Sequence, residues 1–485
     1  MTKSNFPASR QHAGPRAWFA LSLMAGALCA CGSLSSHYQR PSLELPATLS
    51  NPDLASQATQ PAPEWRKWWQ ILQDPALDAL LAEAQANNQD LALAAARILE
   101  ARASLAVTES GRYPTLDGAL AANRSRSSTT TGKLPSGASP YAKDVQFGIS
   151  AAWEVDFWNR HNNQDQAARA RLLAQQGSRA LVQSSLMASI TERYCILRAQ
   201  DAQLLLAESL LKTRQQNLHL QQQRFAAGVA GELELNVAKN ELNASEASAI
   251  GLRQSVASSE TALALLAGRA PAAINAPVIA RGADIAQLAA RLNVPADLPS
   301  NLLQRRPDII SAEQNLIAAH ADVAQARSLY FPTIKLTSTL GRDSKSLSDL
   351  FNPGSVIWNL AGNLTQPLLR AGAIDAAVQG SEARRAQAQA QYVQSVQAAF
   401  RDVHEALGSL AANGQLQSAS AARLATQQQS KRLAQLRFDQ GYSSAPDLLN
   451  AERDSLQVQA GLVDSQRGHL QAMVALYKAL GGGWE

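Results

Sequence analysis

Thirteen residues from Val145 to Phe157 alternate in character. Val145, Phe147, Ile149, Ala151, Trp153, Val155 and Phe157 are apolar, and Gln146, Gly148, Ser150, Ala152, Glu154 and Asp156 between them are polar or small. A period of two is that of a strand with one face in an apolar medium and the other in water. The alternation recurs more weakly in Ile334, Leu336 and Leu340 against Thr333, Lys335, Thr337 and Thr339. It returns in Trp358, Leu360 and Leu364 against Asn359, Asn363 and Thr365, and most weakly in Leu116, Gly118, Leu120 and Ala122. Four strands are predicted, at about 114–126, 144–157, 332–341 and 355–367.

A different period governs the rest of the chain. Leu197, Leu204, Leu211, Leu218 and Phe225 fall seven apart, as do Leu449, Leu456, Val463, Leu470 and Tyr477. Seven-residue apolar stripes pack helices as left-handed coiled coils. No proline interrupts Tyr141 to Ala270 or Leu368 to Ala445. A helix from Asn159 to Phe225 would run roughly 100 Å at 1.5 Å per residue, too long for a globular domain.

The chain also repeats itself. Arg224-Phe225-x-x-Gly228 returns as Arg437-Phe438-x-x-Gly441, Ala267-Gly268 as Leu480-Gly481 and Glu234 as Asp447, each displaced by 213 residues. Tyr113-Pro114 returns as Phe331-Pro332. Each copy reads as helix, strand, strand, long helix, turn, helix, and the period is too long for a solenoid. Gly228 and Gly441 can take the left-handed geometry that reverses a chain, so each copy ends in a helical hairpin with a tip. The organisation is a leader at 1–30, an N-terminal segment at 31–74, a first repeat at 75–270, a linker at 271–301 and a second repeat at 302–485.

In a membrane barrel the apolar face of such strands meets lipid and the polar face lines a wet lumen. Trp153, Phe157, Tyr141 and Trp358 then form interface girdles. Four strands cannot close a barrel, and an open edge cannot persist in lipid. The barrel is therefore built from several protomers.

Composition narrows the function. Aromatics are 5% and charged residues 17%, which suits long helices better than an aromatic core. The net charge is +5, of which Lys3, Arg10 and Arg16 belong to the leader, leaving +2 beyond it. No basic block interleaves with aromatics, so nucleic acid is not a partner. The three leader cations precede a short apolar run, Ala17–Ala30, which reads as a secretory signal. Its end, Leu28-Cys29-Ala30-Cys31-Gly32, resembles a bacterial lipoprotein box with Cys31 as the acylated residue. That covalent lipid is the only prosthetic group expected, and two or three acyl chains suffice for stable anchoring. Cys195 is left without a disulfide partner and reads as a packed helical residue.

No HExxH, GxSxG, P-loop, CxxC or GxGxxG motif is present, and the seven histidines are scattered without ligand spacing. No enzyme activity and no metal site are expected. Arg305-Arg306-Pro307-Asp308 reads as a helix start, with Asp308 and Glu313 at the positive end of the dipole. Trp68-Trp69 reads as packing rather than a ligand cage.

With these residues in hand, the chain resembles the TolC-like outer-membrane efflux proteins, in the lipoprotein branch that serves resistance–nodulation–division (RND) pumps. The resemblance covers about 31–485. It rests on Trp68-Trp69-x4-Asp74-Pro75-x-Leu77, Asn88-x-Asp90-Leu91-x3-Ala95-x-Arg97 and Trp153-Glu154-x-Asp156. It rests also on Leu302-Leu303-x-Arg305-Arg306-Pro307-Asp308-Ile309-x2-Ala312-Glu313, Gln366-Pro367-Leu368-x3-Gly372 and Leu476-Tyr477-Lys478-Ala479-Leu480-Gly481-Gly482-Gly483-Trp484. It implies a mainly α fold with membrane β. Three internally duplicated chains, four strands each, would form a twelve-stranded β-barrel continuous with a twelve-helix periplasmic α-barrel.

The implied protein is a homotrimer, lipid-anchored in the outer membrane and extending into the periplasm. It would be the passive exit duct of a tripartite pump for drugs or other small toxic compounds, working with a periplasmic adaptor (membrane fusion protein) and an inner-membrane RND pump. Arg224, Phe225, Gly228, Arg437, Phe438 and Gly441 would dock the adaptor. Glu234, Asp447 and Asn450 are candidate gate residues, since a symmetric ring of carboxylates repels itself and binds cations.

Two departures stand out. Asp156-Phe157-Trp158-Asn159-Arg160 carries Asn where the family has Gly, and Leu449-Asn450-Ala451-Glu452-Arg453 carries Asn450 where a carboxylate is common. Asn tolerates left-handed geometry, so the first change is compatible with the turn. Two other functions fit parts of the pattern: a type I protein-secretion duct of the same fold, and a periplasmic coiled-coil lipoprotein without a pore. The lipoprotein box and Arg-Arg-Pro-Asp-Ile favour the efflux duct over the first, and the alternating strand argues against the second.

Overall fold

The computed structural model describes residues 38–43, 48–50, 65–131, 134–135, 137–275, 277–291, 297–299 and 304–484. The leader and Cys31 lie outside these. Besides a short two-stranded ladder of Thr48–Ser50 with Asp297–Pro299, four long strands and seven principal helices follow in order. Helices α1 (Pro75–Asn87) and α2 (Gln89–Ser110) precede strands β1 (Thr115–Arg126) and β2 (Tyr141–Val155). Helices α3 (Arg160–Ala226) and α4 (Glu232–Leu266) complete the first copy. The second copy has α5 (Pro307–Arg327), β3 (Thr333–Ser344), β4 (Val356–Thr365), α6 (Ala373–Asp439) and α7 (Ala445–Ala479). The duplication is visible in lengths: α3 and α6 have 67 residues each, and α4 and α7 have 35 each.

Contacts divide the chain into two units. One contains Arg102–Arg171 and Leu316–Ala388, with the described part of the N-terminal segment up to Arg40; the other contains Pro41–Ala101, Leu172–Asn315 and Gln389–Glu485. In the first, the strands form one antiparallel sheet in the order β1-β2-β3-β4. Directly opposed residues share a face, so register decides whether the four alternations reinforce one another. They do. Leu120 opposes Phe147, Ile149 opposes Leu340, Leu340 opposes Trp358, and Ile334 opposes Leu364. On the other face Ser150 opposes Thr339, Thr339 opposes Asn359, and Glu154 opposes Lys335.

Strand β2 starts and stops earlier than the alternation predicts. Asp156 leaves the ladder to cap α3, its two carboxylate oxygens accepting the amides of His161 at 3.1 Å and Asn162 at 2.9 Å. Trp158 then leaves the strand path, and its indole donates to the Pro332 carbonyl at 2.7 Å. Strand β3 runs on to Ser344 because Val145 of β2 is there to pair with it. Asn159 sits at φ +59°, and its counterpart one repeat later, Gly372, at φ +80°. Asn159→Ala is expected to cost about 1 kcal/mol, because alanine tolerates that geometry poorly, and Asn159→Gly to be nearly neutral. The midpoint of thermal unfolding in detergent separates the two.

In the second unit, helix α1 begins at an Asp74 cap with Pro75 in its first turn, and Leu77, Leu80, Leu81 and Ala84 are its buried positions. The heptad stripes are buried unevenly. Leu197, Leu470 and Tyr477 lie in the core, whereas Phe225 at the end of its stripe is 43% exposed.

Candidate functional site

Three regions bear on function, the first being the sheet. Its apolar face is uncovered: Trp358 is 76% exposed and Leu360 73%, with Leu116, Leu120, Phe147, Ile149 and Leu340 also exposed. A patch of this kind requires an apolar cover. The outer edges of β1 and β4 pair with no strand among the described residues. Trp153 and Phe157 lie at the end of the sheet that adjoins α3, and Tyr141 at the opposite end of β2. The Trp153 indole donates to the Arg112 carbonyl at 2.9 Å. Gly148 and Gly341 oppose each other, and a Cβ on Gly341 would stand 2.6 Å from the Phe147 carbonyl oxygen. The two strands approach there more closely than side chains permit.

The second region is the pair of hairpin tips. At the first, Gly228 has φ +71°, its amide bonds to the Phe225 carbonyl, and the Val229 amide bonds back to Arg224. At the second, Gly441 has φ +76°, with the same two bonds from Gly441 to Phe438 and from Tyr442 to Arg437. Both are Schellman terminations, which satisfy the last carbonyls of the long helices. Phe225, Val229, Leu233 and Tyr442 are exposed around them, and Phe438 is half-buried.

Glu234 and Asp447 each lie in the first turn of a returning helix. Asp447 accepts from the Ser444 hydroxyl at 2.6 Å and the Ser444 amide at 3.0 Å. Those bonds, with Arg437 adding a smaller effect, hold its carboxyl below the ordinary aspartate range. Asn450 is exposed one turn further along α7.

The third region binds the base of the helices. Asp74 is 2% exposed. Besides capping α1 it accepts from the Tyr194 hydroxyl at 2.9 Å and the Ala283 amide at 3.0 Å. Arg306, also buried, donates to Asp308, to Asp402 at 3.2 Å and to the Ala479 carbonyl at 2.7 Å. Trp68 stacks on Tyr477 with ring centroids 5.2 Å apart. Burial pushes the Cys195 thiol up to about 12, with Asp74 and Glu192 contributing, so it is an inert packed residue.

Charge ties the helices of the first hairpin to each other and to the linker that follows them. Arg253 pairs with Glu208 at 2.9 Å, Arg281 with Asp201 at 2.9 Å and Glu260 at 2.6 Å, and Arg214 with Glu241 at 3.6 Å. One repeat later Gln466, Ala421, Gly414, Met473 and Gln427 stand in place of Arg253, Glu208, Asp201, Glu260 and Arg214, and those pairs are gone.

Comparison with known proteins decides the family. The outer membrane efflux protein model matches residues 80–269 and 298–482. The chain belongs to the outer membrane efflux protein family. Among curated relatives, the solvent efflux pump outer membrane protein SrpC of Pseudomonas putida is 34% identical over 86% of this chain and 87% of its own length. The cation efflux system protein CusC of Escherichia coli O6:H1 is 31% identical over 95% of this chain and 98% of its own. Among solved structures, the CmeC outer membrane channel of Campylobacter jejuni shares the fold with a TM-score of 0.86 at 22% identity, covering 94% of this chain and 96% of that one. The MtrE channel of Neisseria gonorrhoeae, in its open state, gives 0.80 at 26%, covering 92% and 98%. This efflux protein is an outer-membrane component of an efflux pump, as its relatives are.

In this efflux protein the six residues of the tip motifs occupy equivalent places at the hairpin turns, as do Glu234 and Asp447 in the turns that follow. Arg306 serves as a bridge between chain segments; Arg305 is exposed. Glu313 is buried in the second turn of α5 rather than at its capped end. Sequence reading missed three features: the Asp74 knot, the charge ladder of the first hairpin and the Ser444–Asp447 bond. Only the last had a visible signal, Ser three residues before an acid at a helix start.

Proposed function

We propose that this chain is the passive exit duct of a tripartite pump for drugs or other small toxic organic compounds, with no enzymatic activity of its own. The observation that carries the reading is the four-stranded sheet, apolar on one face, polar on the other and open at both edges. Such a sheet satisfies its backbone in a membrane only by closing with further copies, and three copies supply the twelve strands of the family barrel. Energy then comes from an inner-membrane RND pump, coupled through a periplasmic adaptor that grips the tips. Cys31 carries the lipid anchor. The names of the relatives, a solvent pump in one case and a cation system in another, show that this architecture serves more than one cargo.

The exposed Phe225 and the paired Arg224 and Arg437 motifs support adaptor docking, since reversal of the chain alone needs only the glycines. Glu234 and Asp447, one pair per chain, would place six carboxylates around a trimeric lumen. Replacing them by Gln and Asn removes the charge, and the Asn keeps an oxygen for the Ser444 bonds, so conductance of the purified channel in planar bilayers is expected to rise. Gly228→Leu with Gly441→Leu is expected to abolish drug export in cells while the barrel still inserts. A channel that conducts as wild type in the first experiment, with unimpaired export in the second, removes both roles. Cys31→Ser is expected to lose incorporation of radiolabelled palmitate, and undiminished labelling would disprove the anchor.

A further inference from the structure

The sheet segregates charge at the end away from the helices. Register places Arg124 opposite Lys143 and Arg126 opposite Tyr141, all on the apolar face of the hairpin β1–β2. The opposite face at that level carries Asn123 and Asp144, so the acid points one way and the cations the other. All three cations are exposed. Among the described residues none of them has a carboxylate within 4.0 Å. Arg126 instead lies 5.7 Å over the Tyr141 ring. Like charges directly opposed across two strands destabilise a sheet, so Arg124 facing Lys143 is a cost that an anion would offset.

Their height identifies the anion. Lys143 lies ten residues from Trp153 along β2. At about 3.3 Å per residue and a tilt of about 40°, that is roughly 25 Å measured across the membrane, the height of a barrel's apolar band. With Trp153 at the inner interface, Arg124 and Lys143 stand at the outer head-group level, where the lipid of an outer membrane is a phosphorylated glycolipid. An arginine and a lysine side by side, with a second arginine two residues further along the same face, suit phosphate oxygens.

We propose that Arg124, Arg126 and Lys143 form a binding site on the outer wall of the barrel for the phosphate groups of an outer-leaflet glycolipid. The site rests on the reading of the apolar face as the lipid side, which Phe147→Arg tests separately: if that variant inserts normally, the face is wrong whatever the lipid result. The site itself is tested by native mass spectrometry of the full-length protein released from detergent and titrated with bisphosphorylated lipid A, dephosphorylated lipid A or phosphatidylglycerol. Lipid A is expected to bind at least tenfold more tightly than either alternative, and less tightly as salt rises. Arg124→Gln/Arg126→Gln/Lys143→Gln is expected to lose that preference, and Arg124→Lys/Arg126→Lys/Lys143→Arg to keep it. If the triple glutamine variant fails to insert, Lys143→Gln alone carries the measurement, with a loss of about threefold expected. Unchanged binding by the glutamine variants, or phosphatidylglycerol binding as tightly as lipid A, overturns the proposal.

Discussion

Phe147→Arg and Ile149→Arg should each reduce stable insertion of the protein by roughly 2–4 kcal/mol, the cost of an arginine on the lipid side near the bilayer midplane. Ser150→Arg, one residue away, should be mild. The difference follows from register. Ile149 lies between Gly118 and Leu340, in the middle of the apolar face, and Phe147 between Leu120 and Arg342, whose own guanidinium donates to the Leu350 and Asn352 carbonyls. A guanidinium without such carbonyl partners must either lose its hydration or thin the membrane around it. Ser150 stands on the other face, directly opposite Asp117, where an arginine stays wet and gains a carboxylate neighbour. Folding into lipid vesicles, scored by the fraction resistant to urea extraction, compares the three. Equal damage from both faces would mean that the alternation does not divide lipid from lumen.

Asp74→Ala should destabilise the helical unit by about 3–5 kcal/mol, from a lost helix cap together with buried donors left without acceptors. Ala76 and Leu77 donate to it at 2.9 and 3.3 Å from the start of α1, and Tyr194 and Ala283 from elements remote in sequence. Asp74→Asn, which keeps one acceptor oxygen, should lose less than half as much. Gly282→Ala attacks the same knot from the opposite side, since its Cβ would stand 1.9 Å from an Asp74 carboxylate oxygen. The midpoint of guanidinium unfolding followed by circular dichroism measures all three. If Asp74→Ala unfolds with wild type, the knot is incidental to stability.

Much of this protein was legible in its residues. Alternation at Val145–Phe157 marked a strand with two different surroundings, because side chains on a strand point to opposite faces at every step. Proline-free heptads and a glycine at each turn marked two long hairpins, because coiled-coil packing and helix reversal depend on residues a few positions apart. The 213-residue displacement showed the duplication, and the equal helix lengths agree with it. The family too was recognisable from these residues, and the family comparison agrees.

What the tertiary structure decided has no local signature. That the four alternations fall in phase on one face depends on register between strands almost 200 residues apart, and a slip of one residue would have sent β3 the wrong way round. The Asp74–Tyr194–Ala283 knot, the Arg306 bridge to Ala479 and the ion pairs confined to the first hairpin join residues separated by up to 209 positions. Such bonds depend on where distant segments meet, and a single sequence carries no period or spacing from which that meeting can be read. The opposition of Arg124 and Lys143, and with it the cationic outer rim, is of the same kind: each residue alone is an ordinary surface cation, and only the pairing of two strands puts them face to face, away from Asp144.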